Sequence, residues 1–275
     1  MGRAVQHVLL RQVVEPHDPT LSQALHDSSG LKPYTVTGLM RPDAVQPLYG
    51  DVRAGDRAWI RMVGLRRDVT VALREWAFFA PDLIEIDGVP WHVEAVYHTQ
   101  RSHFAAGGTS YRRMVAQAQQ PTPAPKISMA FPSPTAFHSG GVNLPFPLPS
   151  LVFGSMARQW AAFNGPTLPT ELDPFIEHYV MLHRYNLETA IFSFKQGSKQ
   201  IGFTGTTVYE IASRNRRLER VQPELSATLQ QDHRRLAQMV PLLVDVSFYS
   251  GIGVKTTSGM GFVSRPGRIE HAFSG

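Results

Sequence analysis

The stretch GIGVKTTSGMG, Gly251 to Gly261, sets one lysine and three hydroxyls among four glycines. Closely spaced glycines let backbone N–H groups approach and cradle an anion, so the first chemistry to test is phosphate binding. A nucleotide P-loop places glycine directly before its lysine and a helix directly after. Here Val254 precedes Lys255, and the chain ends 14 residues beyond Gly261. The dinucleotide fingerprint fails as well, because G-x-G-x-x-G needs glycine where Thr256 stands. What remains is symmetric: Gly-Ile-Gly, five residues, Gly-Met-Gly, with Ile252 and Met260 placed to anchor the two ends in a core. An open centre of that form suits a polyanion backbone better than a mononucleotide. The alternative reading is a glycine-rich hairpin between a helix and a last strand.

Basic residues recur elsewhere. SRNRRLER, Ser213 to Arg220, carries four arginines against one glutamate. Arg214, Arg216 and Arg217 could grip an RNA stem through its phosphates or simply form a solvated charged turn. Arg61, Arg66 and Arg67 make a second basic group, and Arg112 with Arg113 a third. Other chemistries lack their residues. Cysteine is absent, which removes thiolate zinc sites and cysteine nucleophiles. Neither G-x-S-x-G nor H-E-x-x-H occurs, and the carboxylates form no pair with acid/base spacing. His92 and His98 share a strand face by parity, but six residues of extended chain separate them by about 20 Å. No metal and no cofactor is expected.

With 275 residues and 43% hydrophobic content the chain is globular and long enough for two domains of ordinary size. Its net charge of +5 permits a nucleic-acid partner. No 18-residue apolar run or secretory leader is apparent, so the expectation is a soluble, cytoplasmic protein with no membrane partner. The seam QAQQPTPAPK, Gln117 to Lys126, alternates proline with small residues like an extended linker. It divides the chain into domains over 1–120 and 126–265.

Before the seam, Arg3 to Val14 reads as an amphipathic helix and Pro19 to His26 as a second, capped by Asp18. KPYTVTGL and RAWIRMVGL alternate as strands, Arg67 to Phe78 is helical, and LIEID and VPWHVEAVYH are strands again. The order α, β, β, α, β is a ferredoxin-like unit without its opening strand. After the seam the pattern predicts a strand from KISMAFPSPTAF, a helix from PLPSLVFGSMARQWAAF, and strands from YVMLHRYNLETAIFSF and QIGFTGTTVYEIA. A long helix, Ser226 to Ser250, disturbed near Pro241, and a last strand, GFVSR, complete it. This is a second ferredoxin-like unit. The fold class expected is α+β, two tandem ferredoxin-like (RRM-like) domains, an arrangement common among RNA binders.

FPSPTAFH at Phe131 to His138, PLPSLVFGSMARQW at Pro147 to Trp160, IGFTGTTVYEI at Ile201 to Ile211, and SGIGVKTTSGMG occur in order. Together they resemble the CRISPR-associated endoribonucleases that cut repeat RNA to release guide RNAs. The resemblance spans most of the chain and is strongest from residue 131 onward. It implies binding of a repeat RNA and metal-independent cleavage by the RNA's own 2′-hydroxyl, leaving a 2′,3′-cyclic phosphate and a 5′-hydroxyl. Members often carry a catalytic histidine in a leucine-histidine pair followed by a K-P-[FY]-[ST] strand. In ALHDSSGLKPYTVTGL that pattern falls on His26, Lys32 and Tyr34. Members usually open with a strand before the first helix, whereas this chain begins almost in that helix.

His26 then stands as general acid or base, its alternative being a helix-terminal histidine bonded to a carbonyl. Tyr34 aligns the reacting groups or merely packs. Lys255 stabilises the phosphorane or holds the backbone, with Lys32 a further cation for RNA. The resemblance also assigns RNA contact to Gly251, Gly253, Thr256, Ser258, Gly259 and Gly261. The partners implied are the repeat RNA or guide precursor and, beyond it, subunits of a CRISPR effector complex. A non-cleaving RNA-binding subunit of such a complex is the alternative function, and monomer or dimer stays open.

Overall fold

The computed structural model describes residues 2–48, 50–119, 125–163, 165–193 and 198–270 of the chain. Its architecture is mixed α/β with small antiparallel sheets. The first helix, α1 (Gly2–His7), runs on through a π-helical segment, Val8–Val14, and together they bury Val5, Val8, Leu9 and Val13, the predicted apolar face. The side chain of Asp18 accepts from the Leu21 N–H at 2.9 Å and Pro19 opens α2 (Pro19–Asp27), the cap and first-turn proline read from sequence.

Strand β1 (Tyr34–Val36) pairs antiparallel with β2 (Met62–Gly64), followed by α3 (Arg67–Phe78). A tight hairpin joins β3 (Leu83–Ile86) to β4 (Val89–His92) through Asp87 and Gly88, both at positive φ as such a turn requires. The strand expected over VPWHVEAVYH therefore ends at His92, and residues 93–98 take no regular structure. On the far edge of β3 the Gln12 amide donates to Glu85 O at 2.7 Å and accepts from Glu85 N at 3.0 Å. A side chain thus bonds that backbone as a neighbouring strand would. The apolar faces of the α1 segment, α2, β1, α3 and β3 close one core around Leu9, Leu25, Tyr34, Val69 and Ile84.

Next comes α4 (Tyr111–Ala118), capped by Ser110. Half of the proline seam, residues 120–124, lies outside the described residues. Beyond it, β5 (Lys126–Thr135), β8 (Val180–Ser193) and β9 (Lys199–Ile211) form an antiparallel sheet with β9 central. Strand β6 (Phe137–Ser139) and β7 (Val142–Leu144) make a short hairpin beside it. Helices α5 (Pro149–Ala162) and α6 (Leu172–Tyr179) join the sheet in a core holding Phe131, Phe153, Trp160, Phe175 and Tyr209.

The helix expected over Ser226 to Ser250 is two. After α7 (Arg216–Val221), α8 (Pro223–Gln231) ends at Asp232, and α9 (His233–Ser250) passes through Pro241 without stopping. GFVSR forms no strand: Ala130 and Ser264 make an isolated bridge before the final helix, α10 (Pro266–Glu270). No helix among the described residues is long and apolar enough to cross a membrane.

The glycine stretch is the joint of the molecule. Three of its N–H groups reach acceptors around β5 and α5: Val254 N to Ala136 O at 2.9 Å, Gly261 N to Pro134 O at 3.0 Å, and Gly253 N to Ser155 Oγ at 2.9 Å. Its other side meets the beginning of the chain. Thr37 and Gly259 form a parallel bridge, and a Cβ on Gly259 would stand 2.9 Å from Gly38 N and 3.0 Å from Gly2 Cα. Gly253 has φ of 76°, and a Cβ there would overlap the Ala136 carbonyl.

Arg61 seals the same joint. It is 9% exposed, so it is not part of a surface group with Arg66 and Arg67. Its Nε donates to Ala105 O at 2.6 Å, its guanidinium lies 4.2 Å from the centre of the Phe248 ring, and Nη2 finds no partner among the described residues. Burial pulls its pKa down to about 9. At neutral pH the group is charged in both folded and unfolded states, so keeping it dry costs on the order of a few kcal/mol.

Two outcomes follow. Gly253→Ala should lose at least about 2 kcal/mol, since it combines a strained φ with overlap on a carbonyl, and a fall in the denaturation midpoint measures it. Arg61→Met, which keeps the stem and removes the buried charge, should stay within about 1 kcal/mol of the parent in the same melt.

Candidate functional site

The assigned residues fall into two hydrogen-bonded groups and one separate turn. The first group sits at the C-terminal end of α2, where the last carbonyls of a helix lack partners. Lys32, six residues on, folds back and donates from Nζ to Leu25 O at 2.6 Å and His26 O at 2.9 Å. Lys32 therefore takes the carbonyl-capping role that the sequence left open for His26. Burial lowers the Lys32 pKa and the Asp27 charge opposes that shift.

Freed from capping, the His26 side chain is 67% exposed, with Nδ1 3.1 Å from Asp27 Oδ1. Hydrogen bonds from Gln23 and His26 hold the Asp27 carboxyl below its ordinary range. An ionised carboxylate accepts only, so it selects the tautomer with hydrogen on Nδ1 and leaves Nε2 as the basic nitrogen. This is an exposed imidazole with one nitrogen oriented and the other able to take a proton.

The second group links β1 to the glycine stretch. Tyr34 is fully buried, and its hydroxyl accepts from Gln6 Nε2 at 2.9 Å. Gln6 Oε1 in turn accepts from Ser258 Oγ at 3.2 Å. Burial raises the Tyr34 pKa, with the Gln6 bond opposing. Of the two readings of Tyr34, packing is the one its position matches, because the hydroxyl is enclosed and committed to Gln6.

Within the loop, Gly251, Gly253 and Gly261 turn their N–H groups to Ser247 O, Ser155 Oγ and Pro134 O, so these three amides are bonded inside the protein. Thr256 and Ser258 are each 8% exposed. Gly259 lies against Gly38 and Gly2. Lys255 adopts a left-handed conformation, φ 57° and ψ 34°, and its carbonyl accepts from Ser258 N at 2.9 Å and Met260 N at 3.3 Å. Its side chain is the outward cation of the loop.

The separate turn is the arginine segment. Arg214 pairs with Glu219 at 2.6 Å, while Arg216 and Arg217 stand exposed on the first turn of α7, capped by Asn215. Among the described residues no three His, Asp, Glu or Cys side chains stand together as a metal site. Sequence reasoning missed Gln6 and Asp27. Asp27 was signalled only by its place directly after His26; Gln6, one polar residue on an amphipathic helix, gave no signal.

The family described as CRISPR-associated endoribonuclease Cas6 matches residues 129–263. A curated CRISPR-associated endoribonuclease Cas6 from Streptococcus thermophilus is 25% identical over 137 residues, covering 49% of this chain and 48% of that protein. The chain thus spans about half the length of that curated relative. Among solved structures, a Cas6 (TTHB231) product complex has a TM-score of 0.70 at 25% identity, covering 95% of this chain and 92% of its own. A Thermus thermophilus Cas6 (TTHB231) structure gives 0.65 at 22%, covering 94% and 89%. The mixed α/β fold is shared with these structures, and the resemblance read from the four phrases is to the same family.

The capping geometry predicts that Lys32→Met, which keeps most of the stem and loses the donors, frays the end of α2. Amide exchange at residues 25–28 should accelerate and stability fall by about 1 kcal/mol.

Proposed function

We propose that this relative of the Cas6 endoribonucleases cleaves CRISPR repeat RNA to release guide RNAs, without a metal ion, using His26 as general acid or base. The observation that carries the reading is the His26 imidazole at the end of α2, exposed and with Nδ1 bonded to Asp27. In the reaction the 2′-oxygen attacks the adjacent phosphorus while its proton passes to a base. The bond from phosphorus to the 5′-oxygen breaks, and that oxygen takes a proton from an acid. The products are a 2′,3′-cyclic phosphate and a 5′-hydroxyl, with no atom drawn from water. Either proton transfer suits an imidazole, whose neutral form accepts and whose protonated form donates.

Lys255 supplies positive charge to the phosphorane or to the backbone beside it. Tyr34 serves by position: through Gln6 and Ser258 it fixes the loop that presents Lys255. The glycines, Gly251, Gly253, Gly259 and Gly261, with Thr256 and Ser258, shape that loop against the RNA. Arg214, Arg216 and Arg217 hold phosphates of the repeat away from the cut, and Lys32 keeps the His26 segment ordered. This reading takes the chain as two tandem ferredoxin-like domains, 1–120 bearing His26 and 126–265 bearing the loop. Subunits of a guide-RNA complex are the partners after cleavage.

Incubation of the full chain with 5′-labelled repeat RNA in EDTA, beside His26→Ala, tests the proposal. A single cut ending in a cyclic phosphate, slowed about 10²–10⁴-fold in the variant, is expected. Cleavage at the parent rate by His26→Ala removes the histidine from the mechanism, and tight binding with no product selects the non-cleaving alternative.

A further inference from the structure

Strand β8 is an open edge in the second part of the chain. The order β5-β9-β8 leaves β8 with a neighbour on one side, whereas the opposite edge, β5, meets the end of the chain at the Ala130–Ser264 bridge. At 14 residues β8 is long for an edge, which natural sheets keep short or cover. A bulge between Leu182 and Arg184 interrupts its first residues, and from Arg184 to Ser193 the ladder with β9 is regular. A Cβ on Gly205 would overlap the Asn186 carbonyl oxygen, so that carbonyl points inward to β9. By alternation the backbone groups of Tyr185 and Leu187 point outward, to the free edge.

The side chains along this edge have a symmetric order. Arg184, Asn186 and Glu188 share one face, opposite Val208, Thr206 and Thr204 of β9, so neither charge meets an opposite one across the ladder. Tyr185 and Leu187 share the other face, opposite Thr207 and Gly205. Tyr185 is 56% exposed and stands edge-on to Phe146, ring centres 5.6 Å apart. Opposite charges thus lie two residues either side of Asn186, and apolar residues one either side. A strand with that order is complementary to an antiparallel copy of itself.

We propose that β8 pairs antiparallel with β8 of a second copy of this chain, about a two-fold axis at Asn186. Arg184 of each copy then faces Glu188 of the other, and each Tyr185 faces a Leu187 with which it exchanges two main-chain bonds. The three-stranded sheets of the two copies become one. Side chains fix the register. Moving the axis to Glu188 sets that carboxylate against its own copy, and moving it to Leu187 places Arg184 opposite Ala190. The bulge limits the regular pairing at each end, so the contact is small and the dimer reversible. The inference stands on the edge and its residue order, apart from any cleavage activity.

Sedimentation of the full chain without RNA tests it, at about 0.15 M salt so that the net charge of each copy is screened. The mass should double between about 1 and 100 µM. Arg184→Glu and Glu188→Arg each set like charges face to face, and each should raise the dissociation constant at least about tenfold. An equimolar mixture of the two variants should dimerise like the parent, because each supplies the charge that the other lacks. The chain has no cysteine of its own, so Asn186→Cys should cross-link to its copy on oxidation, the two Cα atoms standing about 4.5 Å apart. Thr206→Cys, one strand inward on the same face, should not. A monomer at about 100 µM overturns the proposal. So does a dimer indifferent to both charge reversals, a mixture that stays monomeric, or cross-linking at position 206 as readily as at 186. Dimerisation that requires added repeat RNA gives the assembly to bridging by nucleic acid and likewise overturns it.

Discussion

The contact on which the rest depends is backbone against backbone at the glycine stretch. Carbonyls of Pro134 and Ala136 receive its N–H groups on one side, while Gly2 and Gly38 press on Gly259 from the other. Such closeness leaves no room for a Cβ, and it decides where everything else can stand. Because β1 must follow the bridge at Thr37, Tyr34 arrives beneath Ser258 with Gln6 between them. Because the loop is spent on packing, the amides of Gly251, Gly253 and Gly261 are bonded inside the protein. The joint is geometric first and chemical second.

A second theme is the use of long side chains to complete backbone structure. Lys32 finishes α2 with two bonds to its carbonyls, and Gln12 finishes the edge of β3 with one donor and one acceptor. Each satisfies groups that would otherwise face water or be buried without partners. The Lys32 cap has a consequence for chemistry, since a histidine relieved of capping can expose its ring and engage Asp27. The candidate site is built from an ordinary helix ending whose needs are met by another residue.

Much of this was legible in the sequence where local chemistry decides it. Asp18 and Pro19 marked the start of α2, and the apolar spacing of the first fourteen residues marked the buried face of the first helix. What could not be read depends on distant partners. WHVEAVYH alternates like a strand but is one only as far as a neighbour exists to bond it. GFVSR was expected as a last strand, yet a single bridge, Ala130 to Ser264, is all that forms. Arg61 looked like part of a basic group, because nothing local distinguishes an arginine that will be roofed by Phe248 from one that will face solvent. Among the site residues, His26 and Lys32 were found through a phrase. Gln6 was invisible since its importance is conferred by Tyr34 and Ser258, 28 and 252 residues away.

Arg61 also gives the joint a thermal character. The hydration of a guanidinium carries a strongly negative entropy, so the advantage of returning it to water shrinks as temperature rises. The Phe248 and Phe262 rings against which it lies keep their apolar contribution over the same range. Warming therefore reduces the penalty built into this seam while it loosens chain segments held by entropy-sensitive contacts elsewhere. Cooling does the reverse, and the place where the two ends of the sequence meet is held least firmly, relative to its surroundings, in the cold.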